Sequence, residues 1–383
     1  MTGDIFNAII ELASDNVAGN DTGACLSYFT QYMKRNKRSM TILDVATAAG
    51  VSVSTVSRVL NDKDDIAPET YERVKNIIAE MGYTSSLAAR SMRSHRMNVI
   101  GLIMPDAGEP FPIEVMKGVN SAIAALDYDL IIYTCGDVRK HFTADRERKF
   151  VSLLNNSITD GVVVITPAAT HFNTSAPVVA VDPHYGNNEY PSVISTNREG
   201  ATEAMNYLIE LGHRRIGFIG GRNDLVSADR RLRGYQDSLA QAGIPIDLDL
   251  ILQGDFTAGT GLKCARQLLN LPVPPTAIFA ANDQSALGAY QAAQEAGLAI
   301  PEHLSIVGFD NIPEAAQAEP GLTTVDQSIQ EMGKIAVQML VKLIQGESLE
   351  NKTIKTSTRL IIRNSCRVFE AVEKLNGNSV PYE

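Results

Sequence analysis

The chain is 383 residues long, 44% hydrophobic and 20% charged, with a formal net charge of −10; this is the make-up of a soluble globular protein with room for two or three domains and a large core. No apolar run approaches the roughly 18 residues needed to span a bilayer, and no basic head followed by a long apolar stretch marks an export signal. Cys25, Cys135, Cys264 and Cys366 are far apart and form no CxxC pair, so no metal site, no cofactor and no disulfide framework is expected, and the thiols read as reduced and mostly buried in a cytoplasmic protein.

In chain order, Ile5–Leu12 fits a short amphipathic helix and Lys34–Arg38 is a basic run. Then comes "TILDVATAAGVSVSTVSRVLN", Thr41 to Asn61. Thr41 followed by Asp44 makes a capping box. It starts a helix at Ile42 that runs to Ala49, and Gly50 fits the left-handed residue that ends it. Ser52 caps a second helix after a tight turn, with Val53, Val56 and Leu60 spaced for a partly buried face and Ser54, Ser57 and Arg58 lying elsewhere. Two short helices across a tight glycine turn make a helix-turn-helix, with an ordinary helical hairpin as the bland alternative.

The scarcity of charge in this stretch then has a reason. A recognition helix enters a groove about 12 Å wide, so small side chains at its N-terminal end permit close approach. Serine and threonine hydroxyls, with the first amide groups of the helix, bind phosphate oxygens, and Arg58 is long enough for a base edge or a phosphate. A third helix opens at Pro68, carries the stripe Val74, Ile77, Ile78 and Met81, and stops at Gly82. Ser86–Met92 fits one more short helix, too short to stand alone and expected to form only against DNA and a partner copy. Between Lys34 and Arg96 eleven basic residues face seven acidic ones, a local charge of +4 that leaves −14 for the rest. A basic front on an acidic body points to an anion-binding head on a larger domain with other duties.

From Val99 the pattern changes. The apolar runs "VIGLIM", "DLIIYT", "GVVVIT", "PVVAVD", "RIGFIGG", "LILQGDF", "AIFAAN" and "SIVGFD" alternate with helix-like stretches such as Ile113–Leu126, Asn197–Leu211, Ala258–Leu269, Gln284–Ala296 and Ser328–Ile344. That alternation predicts parallel sheets with helices on both faces, and so many strands require two sheets. Ligands of such sheets bind beyond the carboxyl ends of the strands. Asp283, after "AIFAAN", and Arg231, in the segment after "RIGFIGG", are placed for this. An N-cap role is the structural alternative for Asp283, and a solvated basic face is the alternative for Arg231. His171, His184 and His303 have no ligand-like spacing.

These stretches, together with "APETYERVKNIIAEMGY", "LAARSM", "YLIELGHRRIGFIGG", "RRLRGY", "LTTVDQ" and "RLIIRNS", resemble the lac repressor (LacI/GalR) family of bacterial transcriptional regulators. The match runs from about Met40 to Arg367. The resemblance implies a small all-α helix-turn-helix head over residues 40–84, a hinge helix and linker over 85–97, and an α/β periplasmic-binding-protein-like two-lobed body over 98–367. The chain would cross between lobes near Thr196, Thr324 and Gln345. Residues 368–383 are a tail too short for an oligomerising coiled coil, so a homodimer is expected. Met40 sits where the family usually begins, so residues 1–39 are expected to be a poorly ordered arm or a leader ahead of the true start.

The resemblance also implies roles. Val53, Ser54 and Arg58 match base-reading positions, and Thr41, Ser52, Thr55, Ser57 and Asn61 match phosphate-holding ones. Leu87, Ala88, Ala89, Arg90 and Met92 match the hinge helix in the minor groove, where Met92 replaces the usual leucine wedge and Ser85-Ser86 replaces the usual Pro-Asn. Phe111, Asn197, Arg231, Phe256 and Asp283 match effector-binding positions, with Thr196 standing where Asp is common. The implied function is sequence-specific binding of double-stranded operator DNA, most simply repression of carbohydrate-utilisation genes, controlled by a small effector such as a sugar. A purine- or other metabolite-responsive regulator is the alternative. Enzyme chemistry has little support: "IGFIGG" lacks GxGxxG spacing, and no GxSxG, P-loop or HExxH occurs. A sugar-binding transport protein would share the body but would not carry Thr41–Asn61.

Overall fold

The computed structural model describes residues 40–60, 65–83, 96–136, 143–155, 158–184 and 189–369. The chain divides into two compact units, Met1–Ala89 and Arg90–Glu383. Among the described residues no single helix is long and apolar enough to cross a membrane.

In the first unit, helix α1 (Ile42–Ala49) opens with the capping box: the Thr41 amide donates to Asp44 at 2.8 Å and the Asp44 amide donates back to the Thr41 hydroxyl at 3.4 Å. Gly50 ends it at φ 66°, a conformation that costs a residue with a Cβ. Helix α2 (Val53–Leu60) then leaves at 104° to α1, within the range of a helix-turn-helix. Helix α3 (Pro68–Met81), with Pro68 in its first turn and Gly82 at φ 59° beyond its end, closes the bundle. Its core is Val45, Ala46, Ala49, Val56, Val59, Val74 and Tyr83. One expectation changes: Val53 is exposed, and Val56 and Val59 supply the buried face of α2, because α1 and α3 cover the later turns rather than the first.

The second unit holds two lobes, each with a six-stranded sheet among the described residues. The first contains strands β1 (Val99–Met104), β2 (Asp129–Thr134), β3 (Gly161–Ile165), β4 (Val178–Val181), β5 (Ser192–Ser195) and, late in the chain, β11 (Thr353–Thr356). Their order is β11-β5-β4-β3-β1-β2, all parallel. The second contains β6 (Ile216–Ile219), β7 (Ile251–Leu252), β8 (Ala277–Ala280), β9 (Ser305–Asp310), β10 (Thr323–Asp326) and β12 (Arg359–Ile361), ordered β12-β10-β9-β8-β6-β7. Here only β12 runs antiparallel, against β10.

Helices cover both faces of each sheet, which is why β1, β3 and β4 are buried along their whole length. In the first lobe, α4 (Pro110–Ala124) and α11 (Ile329–Ile344) pack one face and α5 (Thr143–Leu153) the other. In the second lobe, α6 (Asn197–Glu210) and α7 (Val226–Gln241) pack one face, and α8 (Ala258–Leu269) and α9 (Asp283–Glu295) the other. A short helix, α10 (Pro313–Gln317), follows β9. Alpha helices α4 and α11 meet glycine to glycine: a Cβ on Gly118 would overlap the Gln330 carbonyl, and one on Gly333 would overlap the Val115 carbonyl.

The chain changes lobe at Thr196, at Gln327-Ser328 and at Ser357-Thr358. The second falls close to the expected crossing near Thr324, and the third corrects the one expected near Gln345. Thr324 still pairs with Gly308 inside the second sheet, and after Gln345 the chain adds β11 to the first sheet beside β5 before it leaves. Side chains stitch the three crossings together. The Thr358 amide donates to the Thr196 hydroxyl at 2.9 Å, Ser195 donates to the Gln327 side-chain oxygen at 2.8 Å, and Thr356 donates to the Gln327 carbonyl at 3.3 Å. Cys135 and Cys264 are buried and Cys366 is half-buried, all three as free thiols.

Candidate functional site

The first site is the exposed N-terminal end of α2. The hydroxyl of Ser52 lies 2.7 Å from that of Ser54 and 2.9 Å from that of Thr55, and it accepts the Thr55 amide at 3.2 Å. Val53 stands exposed in the same turn. One turn later Arg58 Nη1 lies 2.9 Å from Asp65 Oδ2, with both side chains more than half exposed. Thr41 is exposed at the start of α1, and Ser57 is half-buried on α2. Such a surface offers small hydroxyls, the first amides of a helix and one long cation, which suits a phosphate backbone and a base edge. Asn61, Leu87, Ala88, Ala89, Arg90 and Met92 lie outside the described residues.

The second site is a cleft of about 850 Å³, open mouth included, between the two lobes. Its walls are loops at the carboxyl ends of strands. From the first lobe come Pro105–Pro112 after β1, Thr166 after β3 and Asp182 after β4. From the second come Arg222, Leu225, Ser227 and Arg231 after β6, Asp255–Thr257 after β7, Asn282 and Gln284 after β8, and Asp310 and Ile312 at the end of β9.

Arg231 is the centre of the polar wall. It is 3% exposed. Its Nε donates to Asn197 Oδ1 at 2.8 Å, and its Nη1 donates to the Ala281 carbonyl at 2.6 Å and lies 3.3 Å from Asp310 Oδ1. The guanidinium stacks over the Phe309 ring, 3.8 Å from its centroid, and faces the Phe256 ring at 5.7 Å. Asp310 also accepts from Gln327 Nε2 at 2.5 Å, which ties the cleft to the second lobe crossing. Burial pushes Asp310 up to about 6 although Arg231 pulls the other way. Burial likewise raises Asp182 against the pull of Arg231.

Among the described residues, side chains of the two lobes meet at the cleft. Ser227 donates to Asp182 Oδ2 at 3.1 Å, and His184 Nδ1 lies 3.5 Å from Asp224 Oδ2. Asp224 in turn holds Arg222, which donates from Nε at 3.0 Å. Burial pushes the His184 imidazole down to about 4, so it is neutral at pH 7. Four cleft residues have left-handed or strained backbones: Thr166 at φ 44°, Asp182 at 47°, Phe256 at 71° and Asp310 at 120°. Strain of this kind concentrates where groups are held ready for a ligand.

The structure brings Phe111, Arg231 and Phe256 of the sequence-derived set together in this cleft. Two members do not line it. Asp283 is fully buried behind it, accepting Thr324 Oγ1 at 2.5 Å and the Ile312 amide at 2.9 Å. Burial and the nearby Asp310 charge raise its carboxyl well above the usual range. The α9 N-cap is Asn282, not Asp283: Asn282 Oδ1 accepts the Ser285 amide at 3.0 Å. The first turn of α9 therefore sends 282 and 284 to the cleft and 283 beneath β9 and β10. Asn197 is 1% exposed, and its Oδ1 accepts from Arg231 Nε. Sequence reasoning missed Asp182 and Asp310, although each ends an apolar strand it had found, and strand ends are where ligands bind. His171 is exposed beside Glu189, and His303 accepts the Ala299 amide at 2.9 Å within its own loop.

A helix-turn-helix unit on one chain with a two-lobed ligand cleft defines a DNA-binding regulator with an effector-binding body. The chain belongs to the LacI family of bacterial regulatory proteins. The profile of "Bacterial regulatory proteins, lacI family" matches residues 41–86, and that of a "Periplasmic binding protein-like domain" matches residues 205–366. The HTH-type transcriptional repressor CytR of Escherichia coli (strain K12) is 35% identical over 343 residues, covering 88% of this chain and 99% of the relative. Among solved structures, the lac repressor dimer bound to operator and the anti-inducer ONPF is 26% identical, with a TM-score of 0.77 over 86% of this chain and 100% of that one. A complex of the transcriptional regulator CelR with cellobiose is 31% identical, with a TM-score of 0.62 over 85% and 99%. The chain is thus a transcriptional regulator and not an enzyme.

Proposed function

We propose that this regulator is a homodimeric repressor of carbohydrate-utilisation genes whose operator affinity is set by a neutral, polyhydroxylated effector, a sugar, held between the lobes. The observation that carries the reading is the charge of the cleft wall. Asp106, Glu109, Asp182, Asp255 and Asp310 line it, while the two cations among its described lining residues are already engaged, Arg222 by Asp224 and Arg231 by Asp310. An anionic effector would meet carboxylates with no uncommitted cation among these lining residues. Ring hydroxyls instead donate to carboxylates, and the apolar face of a sugar packs on Phe111 or Phe256. The CelR complex with cellobiose supports a sugar ligand on this fold. Phe111 and Phe256 enter from opposite lobes, which also suits a planar base, so a purine or nucleoside is the second reading.

In this account Val53, Ser54 and Arg58 read base edges, and Thr41, Ser52, Thr55, Ser57 and Asn61 hold phosphates. Leu87, Ala88, Ala89, Arg90 and Met92 of each copy meet in the minor groove. An effector in the cleft replaces or reinforces the Ser227–Asp182 and His184–Asp224 contacts, and the altered lobe angle changes hinge ordering. By linkage, an effector that releases DNA binds the DNA complex more weakly than the free protein.

The test is a thermal-shift screen of mono- and oligosaccharides, sugar phosphates, nucleosides and purines, with and without operator DNA. A neutral sugar is expected to raise the melting temperature, and its effect to change when operator is present. Stabilisation by purines alone selects the second reading; stabilisation by phosphorylated sugars alone overturns the argument from charge.

A further inference from the structure

The run "IGFIGG" after the start of β6 has no part in binding by the reading above, yet its last residue is held to glycine by the cleft. Gly221 does not sit in the left-handed region of backbone space, so its conformation alone does not require glycine. The requirement is space. A Cβ placed on Gly221 would overlap the far end of the Phe256 ring, at three of its carbons.

The backbone that carries this ring is pinned. The Phe256 carbonyl accepts Asn282 Nδ2 at 2.9 Å, and the next residue, Thr257, caps α8 while its amide donates to Asp255 at 3.0 Å. Gln253 Nε2 donates to the Gly221 carbonyl and, at 2.7 Å, to the Gly254 carbonyl, so the loops after β6 and β7 are laced together. A Cβ on Gly254 would strike the Gly220 carbonyl oxygen, a backbone atom that cannot give way, whereas the obstacle at Gly221 is the movable tip of a side chain. With the loop fixed, a ring pushed off Gly221 turns toward the cleft it lines and toward Arg231.

We infer that Gly221 is a specificity-determining position. The missing side chain lets Phe256 lie back against the β6–α7 loop and so sets the depth of the effector cleft; any larger residue makes the cleft shallower and excludes bulkier ligands first. The inference rests on the cleft being the effector site but not on the effector being a sugar.

The test has two arms. A crystal structure of Gly221→Ala is expected to show the Phe256 ring moved into the cleft by at least about 1.5 Å, enough to restore ordinary carbon–carbon contact, with residues 219–225 in place. A ring in its original position with the loop displaced overturns the inference. In the second arm, ribose, glucose, cellobiose and adenosine are titrated against the full-length wild type, Gly221→Ala, Phe256→Leu and the double variant. Gly221→Ala is expected to weaken the largest compound that binds by about tenfold, and to add little in the Phe256→Leu background, where the obstructing ring is gone. An equal loss in both backgrounds, or no loss, also overturns it. If none of the four binds the wild type, the ring position alone decides the role of Gly221, and the saccharide screen decides the sugar reading.

Discussion

Arg231→Ala is expected to abolish the effector response and to destabilise the body by about 3–5 kcal/mol, the cost of leaving a buried charge without its partner. The side chain is 3% exposed and is the counter-charge for Asp310, 3.3 Å away, with Asp182 also under its influence. Truncation leaves those carboxylates in a low-dielectric wall. The effect has a pH signature. The folded-state pKa of Asp310 is raised, to about 6 even with Arg231 present. A raised carboxyl stabilises the fold while protonated, and that stabilisation is lost as pH climbs through the folded pKa. The penalty of Arg231→Ala is therefore expected to be larger at pH 8 than at pH 5, and Asp310→Asn in the same background to recover most of the stability without the effector response. Urea denaturation at both pH values, with operator binding measured alongside, checks this. A variant as stable as the wild type at pH 8 would mean that the ion pair is not a structural element of the cleft.

Arg58→Ala is expected to weaken binding to the operator by about 1–3 kcal/mol, a factor of roughly 5 to 150, while binding to random duplex changes little. Among the described residues Arg58 pairs with Asp65, and both side chains are more than half exposed. Such a pair contributes little, so DNA competes for the guanidinium at small cost, and the fold of the head is expected to keep its stability within about 0.5 kcal/mol. Equal losses on operator and random duplex, in gel-shift titrations at one salt concentration, would assign Arg58 to a phosphate instead.

The parts of the fold that were legible in the sequence are those whose local chemistry and tertiary role agree. The capping box at Thr41, the left-handed Gly50 and Gly82, and the proline at the start of α3 each act within one turn. Strands such as "VIGLIM" and "GVVVI" are apolar throughout because helices cover both faces. The strands that escaped notice, β5, β10, β11 and β12, are three or four residues long and carry serines, threonines and charges. Their polar side chains are satisfied by partners distant in sequence, as Thr324 is by Asp283, and no periodicity reports that. "LILQGDF" read as one strand, but only Ile251–Leu252 pairs, because a 3-10 turn precedes it and the residues after Leu252 turn toward the cleft.

The cleft divides along the same line. Phe111, Arg231 and Phe256 were placed by resemblance to positions that the fold does bring together. Asp283 follows a strand and matches an effector-binding position by resemblance, but Asn282 lines the cleft while Asp283 is buried beneath the sheet. The strand-end rule pointed equally at Asp182 and Asp310, whose importance depends on Arg231 reaching them from α7. That contact is a property of packing and has no local signature.

The central claim is that a helix-turn-helix head selects DNA sequence under the control of a ligand in the cleft. Selection of bound fragments from the genome that encodes the protein, by the purified full-length chain at 150 mM salt, tests it most directly when run with and without the compound that stabilises the body. A small set of near-palindromic sites is predicted to be enriched, with the enrichment changed by that compound and falling steeply as salt is raised. Fragments retained without sequence preference, or a preference that ligand binding leaves untouched, would contradict the account.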